Sequence, residues 1–178
     1  MSAAAQMGLF EARPGWSPRN KGDPRCRELA DRHYTRQSPG HPMWTRPGYN
    51  FVLFAEDARG AAVFCWWRPK WEAGQERRDG LRVLECTIFR NETGDRSSDL
   101  IRQAVTELGS DVAREELGLD PVGIPLVTAV SSEATRKHRG RRHLPGHCFR
   151  MAGWVEFEHR VGRGDVWLWL PIEGRVCP

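Results

Sequence analysis

The sequence has no CxxC pair and no apolar run long enough to span a bilayer. Its five cysteines, Cys26, Cys65, Cys86, Cys148 and Cys177, are odd in number and widely spaced. That pattern excludes a disulfide framework and fits a reducing compartment. His138, His143, His147 and Cys148 follow no standard zinc spacing, so no metal is expected. Met1 to Leu9 lacks the charged start and apolar core of a secretory signal. No internal repeat is visible. These absences predict a soluble, cytoplasmic protein without a membrane partner.

What is present fits one domain. The chain has 178 residues and is 39% hydrophobic, enough for a single ordinary core. Eight tryptophans are many for this length, and such rings either fill a core or stack on flat ligands. Trp66 and Trp67 are adjacent, so on a strand they point to opposite faces and at least one is core. Trp44 and Trp71 are the better stacking candidates. The net charge of +4 is unevenly spread, because residues 136–142 read Arg-Lys-His-Arg-Gly-Arg-Arg. A local basic patch points to a polyanion, either nucleic acid or the phosphates of a cofactor. Arg136, Lys137, Arg139, Arg141 and Arg142, in a loop read over residues 135–147, are candidate DNA-phosphate contacts.

Residues 1–23 are rich in Ala, Gly, Pro and charge and read as a flexible arm before a domain at 24–178. Asp23 and Pro24 open a helix predicted to about Tyr34, burying Cys26, Leu29, Ala30 and His33. A long loop with Met43, Trp44 and Tyr49 follows, unusually apolar for a loop. Asn50–Glu56 and Ala61–Trp67 read as a hairpin, and Leu81–Arg90 as a third strand. Ser97 or Ser98 is expected to cap a helix whose apolar face is Leu100, Ile101, Ala104, Val105 and Leu108. Pro125–Val130 reads as a buried parallel strand, Gly146–Gly153 as a short helix, and Trp154–His159 with Val166–Pro171 as a closing hairpin. The predicted class is α/β: a mostly antiparallel mixed sheet with one central parallel pair and helices on both faces.

That element order is similar to the GNAT superfamily of acyl-CoA-dependent N-acyltransferases. The segment Leu84-Glu85-Cys86-Thr87-Ile88-Phe89-Arg90, its polar turn and Ser97-Ser98-Asp99-Leu100-Ile101 resemble the acyl-CoA motif of that family. Of the usual glycines of that turn only Gly94 is present, with serines at other small positions. The segment from Pro145 to Trp154 resembles the family's last helix, ending here in Ala152-Gly153-Trp154. His33-Tyr34, the serine-containing turn and this ending together resemble phage Mom-like DNA-modification proteins, which act on bases in phage DNA.

The resemblance implies acetyl-CoA or another acyl-CoA as donor. Cys86, Ile88, Arg90, Asn91, Gly94, Arg96, Ser97 and Ser98 would lie along it. A helix start offers free N–H groups and partial positive charge to a pyrophosphate. Glu85 sits among apolar strand neighbours and is the candidate general base; pairing with an arginine is the alternative. His33 and Tyr34 would face the acceptor. Many GNAT enzymes protonate the thiolate with a tyrosine on the last helix. Here Phe149 and Cys148 occupy that region, and the only tyrosines are Tyr34 and Tyr49. Ser131 or Ser132, just after the buried strand, is one substitute, and water is another. The expected acceptor is an amine on a nucleobase of phage DNA in an infected host. The alternatives are a small-molecule or protein amine, or non-catalytic nucleic-acid binding on a degenerate GNAT scaffold.

Overall fold

The computed structural model describes residues 15–139, 144–158, 164–172 and 177–178. In chain order the elements are β1 (Ser17–Arg19), α1 (Pro24–Asp31), β2 (Tyr49–Glu56), β3 (Ala61–Arg68), β4 (Leu84–Asn91), α2 (Ser97–Glu107), α3 (Asp111–Leu117), β5 (Leu126–Ser131), α4 (Ser132–Arg139), α5 (His147–Met151), β6 (Val155–Glu156) and β7 (Asp165–Trp169). The strands form one seven-stranded sheet in the order β1-β2-β3-β4-β5-β7-β6. β4 and β5 are parallel, and every other neighbouring pair is antiparallel. This is a mixed α/β sheet.

Local chemistry sets these elements. The Asp23 carboxylate accepts the Arg25 N–H at 2.8 Å and caps α1, with Pro24 in its first turn. Asp57 accepts the N–H groups of Arg59 and Gly60 and closes the turn between β2 and β3. Both strands read as almost continuous apolar runs because both sheet faces are covered. On one face Leu53, Phe64, Trp66 and Leu84 pack with α2, α3 and α5 through residues such as Leu100, Leu117 and Phe149. On the other, Val52, Phe54, Val63, Cys65 and Ile88 pack beneath Cys26, Leu29 and Ala30 of α1. Helices therefore cover both faces.

Several expectations change. Within the stretch read as an arm, residues 15–23 are docked: β1 pairs with β2, and Trp16 is buried with its indole N–H donating to the Leu100 carbonyl at 2.8 Å. One large ring outweighs the polar composition around it. The segment Ser132–Arg139, expected as loop, is helical, because Ser131 Oγ accepts the Ala134 N–H at 3.2 Å and caps it. The cap of α2 is Arg96, with no side-chain bond, so Ser97 and Ser98 are the first helical residues. α3 was not anticipated; Ser110 caps it and Gly118, at φ 63°, ends it. α1 stops at Asp31, so His33 and Tyr34 lie in the turn beyond it.

Candidate active site

The centre of the sheet carries an irregularity. Cys65 is paired with Ile88 and Trp66 with Cys86, so Thr87 is an extra residue in β4. Parallel pairing with β5 covers Leu84–Leu126, Glu85–Val127 and Cys86–Thr128 and then stops. Both strands continue, β4 to Asn91 and β5 to Ser131. Beyond the bulge, the β5-facing edge of β4 has no strand partner among the described residues. The backbone groups of a central strand are thereby released from the ladder. Thr87 and Ala129 are only half-buried, while Cys86, Ile88, Thr128 and Val130 around them are buried.

The end of α1 reaches this opening. His33 N–H donates to the Ala30 carbonyl at 2.9 Å and holds the turn against the helix. The His33 and Tyr34 rings stack with centroids 4.3 Å apart and planes 32° apart. The Ser131 N–H, where β5 meets α4, faces the Tyr34 hydroxyl oxygen at 3.4 Å. Burial, with a smaller contribution from the Arg90 guanidinium, holds the His33 imidazole down at about 4. Burial pushes the Tyr34 phenol up to about 12, against the opposing effect of the Ser131 N–H. Tyr34 as a residue is 40% exposed. At neutral pH the pair is an uncharged imidazole beside a protonated phenol. The structure thus brings together three predicted residues, His33, Tyr34 and Ser131. Ser131 does so through its backbone, its hydroxyl being the α4 cap.

Glu85 is placed differently from a free base. It is 1% exposed, and its Oε2 accepts from Arg46 Nη1 at 2.9 Å and from Arg77 Nη1. Arg77 also pairs with Asp79 at 2.8 Å and lies over Trp167, while Arg46 lies over Trp67 at 5.1 Å. The alternative expectation is an arginine across the sheet; Glu85 does pair with two arginines, but they come from the loops before β2 and before β4. An acidic residue inside an apolar strand signals a need for cations but cannot say which of 27 basic residues supply them.

The turn from 91 to 98 is tied largely to itself. Asn91 accepts the Thr93 N–H at 2.9 Å and donates to the Asp95 carbonyl at 2.8 Å. The Gly94 N–H donates to Asp57 at 2.7 Å. Arg90 donates to Glu92 and to the Arg32 carbonyl, both at 2.6 Å. Arg90, Asn91 and Gly94 are therefore engaged. Ser97 and Ser98 open α2, where backbone N–H groups lack helical partners, and Arg96 is exposed beside them. Cys86 and Ile88 are core side chains, on opposite faces, so only their backbone borders the opening.

Trp44 is not a stacking surface. It is 5% exposed, packed under α1, with its indole N–H donating to the Lys21 carbonyl at 2.6 Å. The Trp71 ring already meets the Arg68 and Arg82 guanidinium groups, at 5.0 and 5.7 Å. Trp66 and Trp67 do point to opposite faces: Trp66 stacks on Trp154, and Trp67 donates to the Pro47 carbonyl. Arg136 and Lys137 are exposed on α4, Arg139 closes that helix, and Arg141 and Arg142 lie outside the described residues.

Among the described residues no group of three or more His, Cys, Asp or Glu side chains is placed to hold a metal ion, and no helix is long and apolar enough to cross a membrane. The sequence matches no protein-family model, no curated protein and no solved structure.

Proposed function

We infer that this protein is an acyl-CoA-dependent N-acyltransferase with a GNAT-like fold, and that its acceptor is an amine on a nucleobase of DNA. The observation that carries the reading is the parting of β4 and β5 at Thr87 with the Tyr34 hydroxyl at its mouth. It combines released backbone N–H groups with an acid and a base of opposite tuning, which amine acylation requires. Arg96, Ser98 and the N–H groups that open the eleven-residue α2 are the groups that fit the donor's phosphates; the Ser97 hydroxyl accepts from Asn91 Nδ2 at 3.2 Å, so Ser97 would serve through its backbone. When bound, the donor supplies an activated thioester.

The side chains divide the proton work. The Thr35 N–H donates to His33 Nδ1 at 3.3 Å and Thr35 Oγ1 lies 2.8 Å from the same nitrogen, so Nδ1 is the acceptor and basic atom of the neutral ring and Nε2 carries its proton. The proton of the attacking amine passes by way of the Thr35 hydroxyl to Nδ1, a role the depressed imidazole can fill because it is uncharged at neutral pH. Tyr34, held protonated, gives its proton to the departing thiolate, and solvent returns one from the imidazolium to the phenolate. N–H groups of β4 beyond Thr87 stabilise the charge that develops on the carbonyl oxygen. Glu85, engaged by two arginines, is left out of proton transfer.

Arg136 and Lys137 on α4, which begins directly after Ser131, supply a basic approach to the mouth for a polyanion. One observation favours the non-catalytic alternative: the Gly94 N–H is already taken by Asp57. The deciding experiment incubates the protein with acetyl-CoA, longer acyl-CoAs and DNA, including amine-bearing DNA, and analyses nucleosides by mass spectrometry. An acyl mass on one nucleoside supports the proposal. Unchanged nucleosides with salt-sensitive DNA binding favour the alternative.

A further inference from the structure

Arg46 and Glu85 form an arrangement that a structural ion pair does not require. Glu85 is 1% exposed, and both arginines converge on its Oε2, while Oε1 accepts no hydrogen bond among the described residues. Oε1 is nevertheless not one of the sealed, unpartnered polar atoms, so it keeps contact with solvent and is open to a donor. Arg46 is the contrasting partner, with 53% of its side chain exposed. Of its five N–H donors only Nη1 is hydrogen-bonded among the described residues. Its backbone is held, because Asn50 Nδ2 donates to the Arg46 and Gly48 carbonyls, both at 3.1 Å. Gly48 permits this approach: at φ +136° a Cβ there would meet the Arg68 carbonyl oxygen at 2.4 Å. Farther along the same sheet face, Thr87 and Ala129 leave the floor unsealed.

We propose that Arg46 and Glu85 form the reading head of the acceptor site, binding the donor–acceptor edge of an amino-substituted heterocycle such as adenine or cytosine. The open Glu85 oxygen accepts from the exocyclic amine, and a free Arg46 N–H donates to the adjacent ring nitrogen. A carbonyl in place of the amine sets two acceptors face to face, which excludes hypoxanthine, uracil and thymine. The second arginine on Glu85 is then explained, since Arg77 and Asp79 hold the carboxylate in place when Arg46 turns towards a base. The assignment deepens the nucleobase reading above and rests on it for biological meaning. The binding event itself does not require acyl transfer.

The test is ligand-observed NMR titration of the full chain, without acyl-CoA, using deoxyadenosine, deoxycytidine, deoxyinosine and thymidine. Wild type is expected to bind deoxyadenosine or deoxycytidine at least about tenfold tighter than its carbonyl counterpart. Arg46→Ala, at an exposed position, is expected to weaken that ligand about tenfold with unchanged unfolding. Glu85→Gln, whose amide can also donate, is expected to flatten the preference, with circular dichroism checking its fold. Equal binding of all four nucleosides, binding of none, or an unaffected Arg46→Ala overturns the assignment. Amine-selective binding without any acylated nucleoside sustains it and sinks the acyltransferase instead.

Discussion

The Tyr34 hydroxyl faces the backbone N–H of Ser131 at 3.4 Å, joining residues 97 apart in sequence where α1 ends and β5 meets α4. This contact lies at the mouth of the gap between β4 and β5. It brings one of only two tyrosines to the place where the proposed mechanism calls for a proton donor.

Tyr34→Phe keeps the ring stacked on His33 and removes only the hydroxyl. Acylation is expected to fall about 10²- to 10⁴-fold if Tyr34 is the acid, with stability changed by no more than about 1 kcal/mol. Single-turnover rates beside urea denaturation midpoints separate the two effects.

His33 is held down to about 4, so the acid limb of the rate profile should lie near pH 4 rather than near the ordinary histidine range. Arg90→Gln removes the smaller of two causes and is expected to move the limb upward. The stability sign is fixed by linkage. The unfolded imidazole binds a proton below about 6.5 while the folded one does not, so stability should fall from pH 6.5 towards 4. An imidazole titrating near 6.5 by NMR in the folded protein would contradict this.

Ser98→Asp places a carboxylate in the first turn of α2. It should leave the melting temperature unchanged or slightly raised through the helix dipole, while abolishing the saturable shift produced by acyl-CoA. At a ligand concentration of ~100 times Kd that shift corresponds to about 2.7 kcal/mol in the wild type. A retained shift would place the donor's phosphates elsewhere.

Replacing Arg136 and Lys137 together by Gln should weaken DNA binding across sequences. It should reduce the slope of log affinity against log salt by about 1.8 for duplex DNA, roughly 0.9 for each lost phosphate contact. An unchanged slope would remove α4 from the DNA-facing surface.

Trp16→Ala tests whether the N-terminal segment belongs to the fold. Its ring meets Phe64 edge-on at 6.2 Å and donates to the Leu100 carbonyl. The loss should be about 3–5 kcal/mol, measured by chemical denaturation. A neutral outcome would return residues 15–23 to the status of an arm.

Much of the architecture was legible in the sequence because it is local. Asp23-Pro24, the Asp57–Gly60 turn and the apolar runs around Phe51, Phe64 and Val127 each specify an element from nearby residues alone. α3 was hidden because seven residues with four charged side chains show little apolar period; its cap and its glycine stop were the available signals. Trp44 was misplaced because an aromatic in a loop rich in proline and glycine looks exposed until a helix is seen to lie over it.

The sequence by itself determined which chemical groups are present: a histidine beside a tyrosine, a carboxylate in an apolar strand, and basic residues after a buried strand. Only the tertiary structure decided their use. Strand pairing placed the bulge at Thr87, and packing of α1 on the sheet carried Tyr34 to Ser131. Two loops, before β2 and before β4, brought Arg46 and Arg77 to Glu85. The physical reason is that proton affinity and ion pairing depend on burial and on neighbours distant in the chain.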